Sequence, residues 1–290
     1  MIDLHTHSTA SDGTMSPTAL VRHAQERRLE AIALTDHDTV EGLEEALSAG
    51  VRDGIEVVPG IEISAEFPNS TLHILGYYMD FKNQAFLDSI SVLQKARSER
   101  NHTIIGKLQA LGLDITLEEV EIEAETGLVG RPHFAQVLLK KGYVKIPREA
   151  FEKYLAKGAP AYTDKFRFNP CDAIAYIRNA GGIPVLAHPF TIKYKAAEEL
   201  EAIIADMVGW GIMGIEAYYS EHSETQVRLY KDMAEKYNLA LTGGSDFHGQ
   251  NIKGISLGTG KGSLNIAYKY LEKLKTRLKD VQPHTVASLP

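Results

Sequence analysis

Histidine and carboxylate residues recur along this chain in short, tight groups. His5-Thr-His7 comes first, with Asp12 just after it. His37 follows in Thr-Asp-His-Asp, then Glu62, His73, His188 in Ala-His-Pro, and Asp246 with His248 in Ser-Asp-Phe-His. Imidazole and carboxylate are donors for divalent cations, and no thiolate accompanies them, which suits Zn²⁺, Mn²⁺ or Fe²⁺. Two imidazoles two residues apart on a strand share a face, so His5 and His7 can close on one ion. One catalytic zinc needs about three protein ligands plus water. Six histidines and three carboxylates therefore suit two or three ions. Ions about 3.5–4 Å apart can clamp the attacking and leaving oxygens of a phosphoryl transfer.

Something must gather these residues from the whole length of the chain. Short apolar runs alternate with helical patterns, which predicts a parallel sheet or barrel. The expected strands are Ile2–His7, Ala31–Leu34, Glu56–Ser64 (broken at Pro59-Gly60), Thr71–Tyr78 after a turn at Pro68-Asn69-Ser70, Ile183–His188, Gly214–Tyr219 and Leu239–His248. Helices are expected from Ser16-Pro17 to Arg28, over Val40–Gly50, from Asn169-Pro170 to Gly181, and over Ala196–Val208, Ser223–Tyr237 and Leu264–Lys279, before a frayed tail. In a barrel of parallel strands, the strand ends carrying His5, His7, His37, His188, Asp246 and His248 share one face, where active sites form. Glu62 and His73 lie inside their strands and reach the same place only by pointing into the barrel.

Between Gln84 and Lys157 the pattern turns purely helical, with a stop at Gly112 and a capping box at Thr116-Leu-Glu-Glu119. This reads as an inserted helical subdomain over 84–165, covering the cleft of a barrel built from 1–83 and 166–290. The chain has 290 residues, 44% of them hydrophobic, and a net charge of −7. That charge does not suit a protein that coats long nucleic acid. Local cations still permit a small anionic substrate. The single cysteine, Cys171, excludes an internal disulfide and reads as structural. No signal peptide and no membrane-length apolar run are visible, so a cytoplasmic protein is expected.

Taken together, His5-Thr-His7-Ser, Ser11-Asp12-Gly13, Thr35-Asp36-His37-Asp38, Pro59-Gly60-Ile-Glu62, His73, Ala187-His188-Pro189 and Ser245-Asp246-Phe-His248 resemble the PHP (polymerase and histidinol phosphatase) family of metal-dependent phosphoesterases. The resemblance implies a distorted (β/α)₇ barrel and a trinuclear site. One ion would take His5, His7, Glu62 and Asp246; a second would share Glu62 and take His73 and His188; a third would take Asp12, His37 and His248. Asp12 stands where some relatives have histidine. The stretch Gly130-Arg-Pro-His133 resembles the branch with a helical insertion, which includes nucleoside 3′,5′-bisphosphate phosphatases and 5′-3′ exoribonucleases acting on short 5′-phosphorylated RNA. The resemblance thus implies two or three divalent ions, Mn²⁺ foremost, with a metal-bridging hydroxide as nucleophile.

Further residues acquire expected roles. Arg131 and His133, flanking a proline at a helix start, are expected to bind phosphate, and Lys165 is a further candidate. His222, after the sixth strand, is a candidate general acid. Asp36 is read as orienting a ligand, and Asp38 as turn and cap chemistry. Arg97 and Arg100 are read as a solvated helix face, Trp210 as packing or loop, and His23, His102 and His284 as without a role. The expected reaction is release of the 3′-phosphate from a nucleoside 3′,5′-bisphosphate. The alternatives are 5′-3′ trimming of short RNA, histidinol phosphatase, a non-catalytic module binding phosphorylated ligands, and a carbon–nitrogen hydrolase, which also begins with His-x-His.

Overall fold

The computed structural model describes residues 1–68, 70–124 and 127–281. Seven strands form one sheet in chain order: β1 (Ile2–Asp3), β2 (Ala31–Leu34), β3 (Glu56–Phe67), β4 (Ser70–Tyr77), β5 (Ile183–Leu186), β6 (Gly214–Tyr219) and β7 (Ala240–Gly244). The Leu4 N–H donates to Gly243 O at 3.1 Å and the Asp246 N–H to His5 O at 2.9 Å, so the last strand returns to the first and closes the barrel. Gly244 permits this approach, since a Cβ there would stand 2.3 Å from His5 Cβ.

The sheet is not parallel throughout. β3 pairs parallel with β2 up to Pro59 and antiparallel with β4 from Gly60 onward, and β4 is also antiparallel to β5. The expected break at Pro59-Gly60 is instead the point where β3 changes partner. There proline's missing N–H is tolerated, and a Cβ on Gly60 would meet Thr35 Cγ2 at 2.7 Å. Asn69, in the expected tight turn, lies outside the described residues, as do 282–290 with His284. β1 is shorter than expected because side chains take the next amides: His5 N–H bonds to Asp3 Oδ1 and Thr6 N–H to Thr35 Oγ1.

Around the barrel lie α1 (Pro17–Glu26), α2 (Leu43–Asp53), α7 (Pro170–Asn179), α8 (Ala197–Trp210), α9 (Glu224–Lys236) and α10 (Lys269–Thr276). The side-chain caps on Ser16, Asn169 and Ser223 stand where the sequence puts them. Each is worth about 1 kcal/mol. α2 starts three residues later than expected, and α10 is shorter than expected. Cys171 is partly exposed in the first turn of α7, and Trp210 ends α8 with its ring partly exposed. No helix among the described residues is long and apolar enough to cross a membrane.

Alternation along the strands separates two apolar layers. Ile32, Leu34, Ile61, Ile63, Ile74, Leu186 and Ile215 face the helices. Ala31, Ala33, Val58, Leu75, Tyr77, Val185 and Ala240 pack with Leu271 and Leu274 of α10, which plug one end of the barrel. Continuing those inner faces toward the other end leads to His37 just past β2, Glu62 on β3, His73 on β4 and Asp246 just past β7. Because β4 runs in reverse, its ligand sits toward its N-terminal half, which explains why His73 lies inside a strand.

The insertion comprises α3 (Gln84–Ala110), α4 (Leu117–Glu123), α5 (Arg131–Lys140) and α6 (Pro147–Ala150), the last followed by a π-turn over Phe151–Leu155. Gly112, at φ 81°, follows the end of α3, and the Thr116–Glu119 capping box is formed. Phe86, Ile90 and Leu93 at the start of α3 belong to the outer core of the barrel. Ile104, Ile105 and Leu108 belong instead to a separate core with Val120, Phe134, Leu138 and Leu155. By its apolar contacts the start of α3 packs with the barrel and its second half with the other helices of this segment.

Candidate metal centre

Glu62 sits at the centre of the polar end of the barrel, fully buried among five imidazoles. Its Oε1 is 2.7 Å from His73 Nδ1 and 2.9 Å from His188 Nε2; its Oε2 is 2.8 Å from His37 Nδ1, 3.3 Å from His7 Nε2 and 3.4 Å from His5 Nε2. Asp246 Oδ1 lies 3.0 Å from His7 Nε2 and 3.4 Å from His5 Nε2. Asp12 Oδ1 is 3.2 Å from His248 Nε2. All nine residues expected as ligands from the sequence are thus brought together. Donor atoms fall within 4.8 Å of one another in three groups: His5, His7, Glu62 and Asp246; His7, Asp12, His37 and His248; and His37, Glu62 and His73. His7 and His37 each join two groups, where the family pattern assigns each to one ion.

The donor set fits divalent cations for a physical reason. His5 Nε2, both ring nitrogens of His7, His37 Nδ1, Glu62 Oε2 and Asp246 Oδ1 are buried and crowd one another without a well-directed hydrogen bond among the described residues. Orphaned buried polar atoms cost roughly 1–3 kcal/mol each, more when charged, and six of them aimed into one space are what ions would satisfy. The two ligand types shift each other's ionisation. Burial opposes ionisation of Glu62, but His73, His37 and His5 outweigh it and hold its carboxyl well below the usual range. Burial likewise opposes a proton on His248, yet Asp12 and Asp246 push it up to about 10. For His7 burial wins, with His248 and His37 adding to it, and its pKa falls to about 3, leaving a neutral ring with a free lone pair. Cations would replace the protons now paired with these carboxylates. Asp38, His188 and Asp246 have φ of 56°, 24° and 57°. Such left-handed backbone costs about 1–3 kcal/mol per residue and collects at functional sites.

The residues supporting the ligands only partly match expectation. Asp36 does not touch a ligand histidine. It accepts from Ser8 N–H, Ser8 Oγ–H and Ser11 Oγ–H, tying down the loop between His7 and Asp12. Asp38 is no helix cap, since α2 starts at Leu43 behind Gly42. It is buried and pairs with Arg97 Nη2 and Lys165 Nζ, both at 2.6 Å. Glu216 and Tyr219 on β6 were missed. Glu216 Oε1 lies 3.0 Å from His5 Nδ1, and Tyr219 O–H donates to Asp246 Oδ2 at 2.8 Å. The available signal was an acidic residue inside the otherwise apolar strand Gly-Ile-Glu-Ala-Tyr-Tyr.

A cavity of about 710 Å³ opens from the cluster. Asp12, His37 and His73 line one part, and Arg97, Arg100, Arg131, Lys165 and Arg167 line the wall. Arg97 and Arg100 are buried, contrary to the reading as a solvated face. Leu93, Arg97, Arg100 and Ile104 fall at i, i+4, i+7 and i+11, so both arginines ride the apolar stripe of α3, a signal present in the sequence. Among the described residues, the acceptors of Arg100 are uncharged, Asn101 Oδ1 and Val129 O. Burial, Arg97 and Arg131 push its pKa down to about 9. Burial also lowers Lys165, Asp38 opposes, Arg97 adds to the lowering, and the pKa falls to about 7. Crowded, desolvated cations with one buried carboxylate among them could attract an anion.

Two expected substrate residues are placed differently. Arg131 lines the cavity, 5.6 Å from the Tyr162 ring, with Nη1 donating to Leu155 O. His133 does not line it: the buried ring turns back so that Nδ1 accepts from Gly130 N–H at 3.0 Å, closing the first turn of α5. His222 is not brought to the cluster either. Its Nδ1 donates to Ala217 O, its Nε2 is buried without a partner, and Phe190, Tyr219 and Tyr230 pack around the ring. Tyr219 and Phe190 each pack against both this ring and His188, so the ring lies one aromatic layer behind the ligands.

A PHP domain family model matches residues 3–251. The chain is 34% identical over 259 residues to a 3′,5′-nucleoside bisphosphate phosphatase of Chromobacterium violaceum, covering 89% of this chain and 90% of that one. It is 35% identical over 248 residues to a 5′-3′ exoribonuclease of Haemophilus influenzae, covering 85% and 89%. A crystal structure from Bifidobacterium adolescentis, described as a metal-dependent phosphoesterase, superposes with a TM-score of 0.85 at 28% identity, covering 95% of this chain and 96% of that one.

Proposed function

The chain belongs to the PHP domain family, and on that premise we propose that it is a metal-dependent phosphoesterase releasing the 3′-phosphate of nucleoside 3′,5′-bisphosphates. The products are a nucleoside 5′-monophosphate and inorganic phosphate. One observation carries this reading: a single cavity joins candidate metal ligands to a wall of cations, Arg97 and Arg100 buried among them. A substrate with two phosphates matches it, one phosphate reacting at the metal centre and one held by charge. The C. violaceum relative, named for that activity, supports the same substrate class.

His5, His7, Asp12, His37, Glu62, His73, His188, Asp246 and His248 would hold two or three divalent ions, Mn²⁺ foremost, given oxygen and nitrogen donors without thiolate. When bound, such ions supply an activated water and neutralise charge on the phosphoryl oxygens. The chain's own contribution is positioning. Arg131, Arg100 and Lys165 fix the unreactive phosphate through charge-assisted hydrogen bonds, so the reacting one meets the ligand cluster in one orientation. Asp38 keeps Arg97 and Lys165 aimed at the cavity, and His133 shapes the Gly130–Arg131 turn. The insertion forms one wall and limits water in the cleft. Purified protein supplied with Mn²⁺ should release phosphate from adenosine 3′,5′-bisphosphate; no release under those conditions would sink the proposal.

The H. influenzae relative favours a second reading, 5′-3′ trimming of short 5′-phosphorylated RNA by the same site. The cavity lining continues to Lys157, at the far end of the insertion. Comparing kcat/KM on the bisphosphate with that on a 5′-phosphorylated trinucleotide decides between them, and greater turnover of the trinucleotide would select the nuclease.

A further inference from the structure

Strand β6 supplies none of the nine candidate ligands, yet two of its side chains hold three of them. Glu216 is fully buried. Its Oε1 accepts from His5 Nδ1–H at 3.0 Å, and its Oε2 accepts from the His188 N–H at 2.7 Å. Tyr219 reaches Asp246. His5 and Asp246 lie in one ligand group, while His188 approaches the opposite oxygen of Glu62 beside His73. Glu216 thus grips two sides of the cluster from behind.

The strand is built irregularly to do this. Residues three apart point to opposite faces of a regular strand. In β6, Glu216 pairs with Thr242, Tyr218 with Gly243 and Tyr219 with Gly244, so one extra residue is accommodated between Glu216 and Tyr218. A bulge of this kind re-aims the following side chain, and both Glu216 and Tyr219 meet the cluster. Gly243 makes room for it, since a Cβ there would lie 2.4 Å from Tyr218 O. The bond from His188 N–H to Glu216 also braces a residue held at φ 24°. A carboxylate only accepts, so His5 carries its proton on Nδ1. That leaves Nε2, 3.4 Å from both Glu62 Oε2 and Asp246 Oδ1, as the nitrogen that would offer a lone pair to an ion.

We infer that Glu216 is a positioning residue of the metal centre, fixing the tautomer of His5 and the main chain of His188 so that ligands on two sides of the cluster are aimed at once. This rests on the nine residues being metal ligands, and not on the choice of substrate. The test is Glu216→Gln, which keeps the side-chain volume but turns an N–H toward one of the two donors. Mn²⁺ content, Mn²⁺ affinity by chelator competition, melting of the metal-stripped protein, kcat and KM are measured. The expected result is a stripped protein melting close to the wild type, Mn²⁺ bound about 10–100-fold more weakly, kcat restored by excess Mn²⁺, and KM unchanged. Wild-type Mn²⁺ affinity in the folded variant overturns the inference, whatever its melting temperature. A second readout needs no variant. In Zn²⁺-loaded wild type with ¹⁵N-labelled histidine, His5 must be protonated at Nδ1; a proton on Nε2 overturns the inference. Wild-type protein that binds no divalent metal overturns it together with the ligand reading.

Discussion

At the scale of single residues, Glu62 is the most informative position, because five imidazoles converge on it. Glu62→Gln should reduce bound metal and lower kcat on the order of 10³-fold, since ion-based charge stabilisation is worth several kcal/mol; elemental analysis and steady-state rates check both. Arg100 should behave differently. It belongs to the cation wall and not to the ligands, so Arg100→Met should raise KM for a bisphosphate about 10–100-fold with kcat little changed, as loss of uniform binding does. Lys165 gives a pH signature. With its pKa near 7 in the free enzyme, the ammonium is present below that value and lost above it. The anchoring charge therefore fades as pH rises, and kcat/KM should carry a descending limb above about pH 7. Lys165→Met should flatten that limb, and an unchanged profile in the variant would refute the assignment. The arginines illustrate how legibility fails: their helical spacing with Leu93 and Ile104 was visible, but charge alone suggested solvent. Asp38 carried no usable signal, since only the fold brings Arg97 and Lys165 to it.

At the scale of elements, strand alternation did most of the placing. Ala31, Ala33 and His37 share one side of β2 and its extension, as Val58 and Glu62 share one side of β3, so inner faces predicted from pattern became the site. Alternation fails where the backbone is irregular, at His188 and past the β6 bulge, which brings Tyr219 to the side of Glu216; Glu216 itself follows alternation, opposite the outward Ile215. α10 acts at the opposite end of the barrel. Leu271 and Leu274 are fully buried against the inner layer. Leu274→Ala should therefore cost about 2–5 kcal/mol in denaturant unfolding and leave metal content at the wild-type level. Loss of metal in that variant would mean that the plug also shapes the site.

At the scale of the molecule, the barrel closes where His5 and Asp246 meet, so ions held there would brace that closure. Ions that bind only the folded chain stabilise it by about 2.7 kcal/mol at one hundred times their Kd. Stripping with chelator should then lower Tm by roughly 5–10 °C, and Mn²⁺ should restore it; identical melting with and without metal would contradict this coupling. The insertion adds the second half of the site. Arg97 and Arg100 lie between the apolar residues of α3 that join the barrel core and those that join the helical core, so the cation wall stands at the junction of the two.

The sequence by itself determined the ligand types, their order, the strands carrying them and the family they resemble. These are local properties: donor chemistry depends on residue identity, and side-chain direction on periodicity along one strand. Tertiary structure alone decided which groups meet. It turned β4 against its neighbours, drew His133 back onto its own helix, packed His222 against Tyr219 and Phe190, and buried two arginines, one of them paired with Asp38. Each of those outcomes depends on contacts between residues far apart in the chain, where no periodicity reaches, and on desolvation, which exists only once the barrel and its insertion have closed.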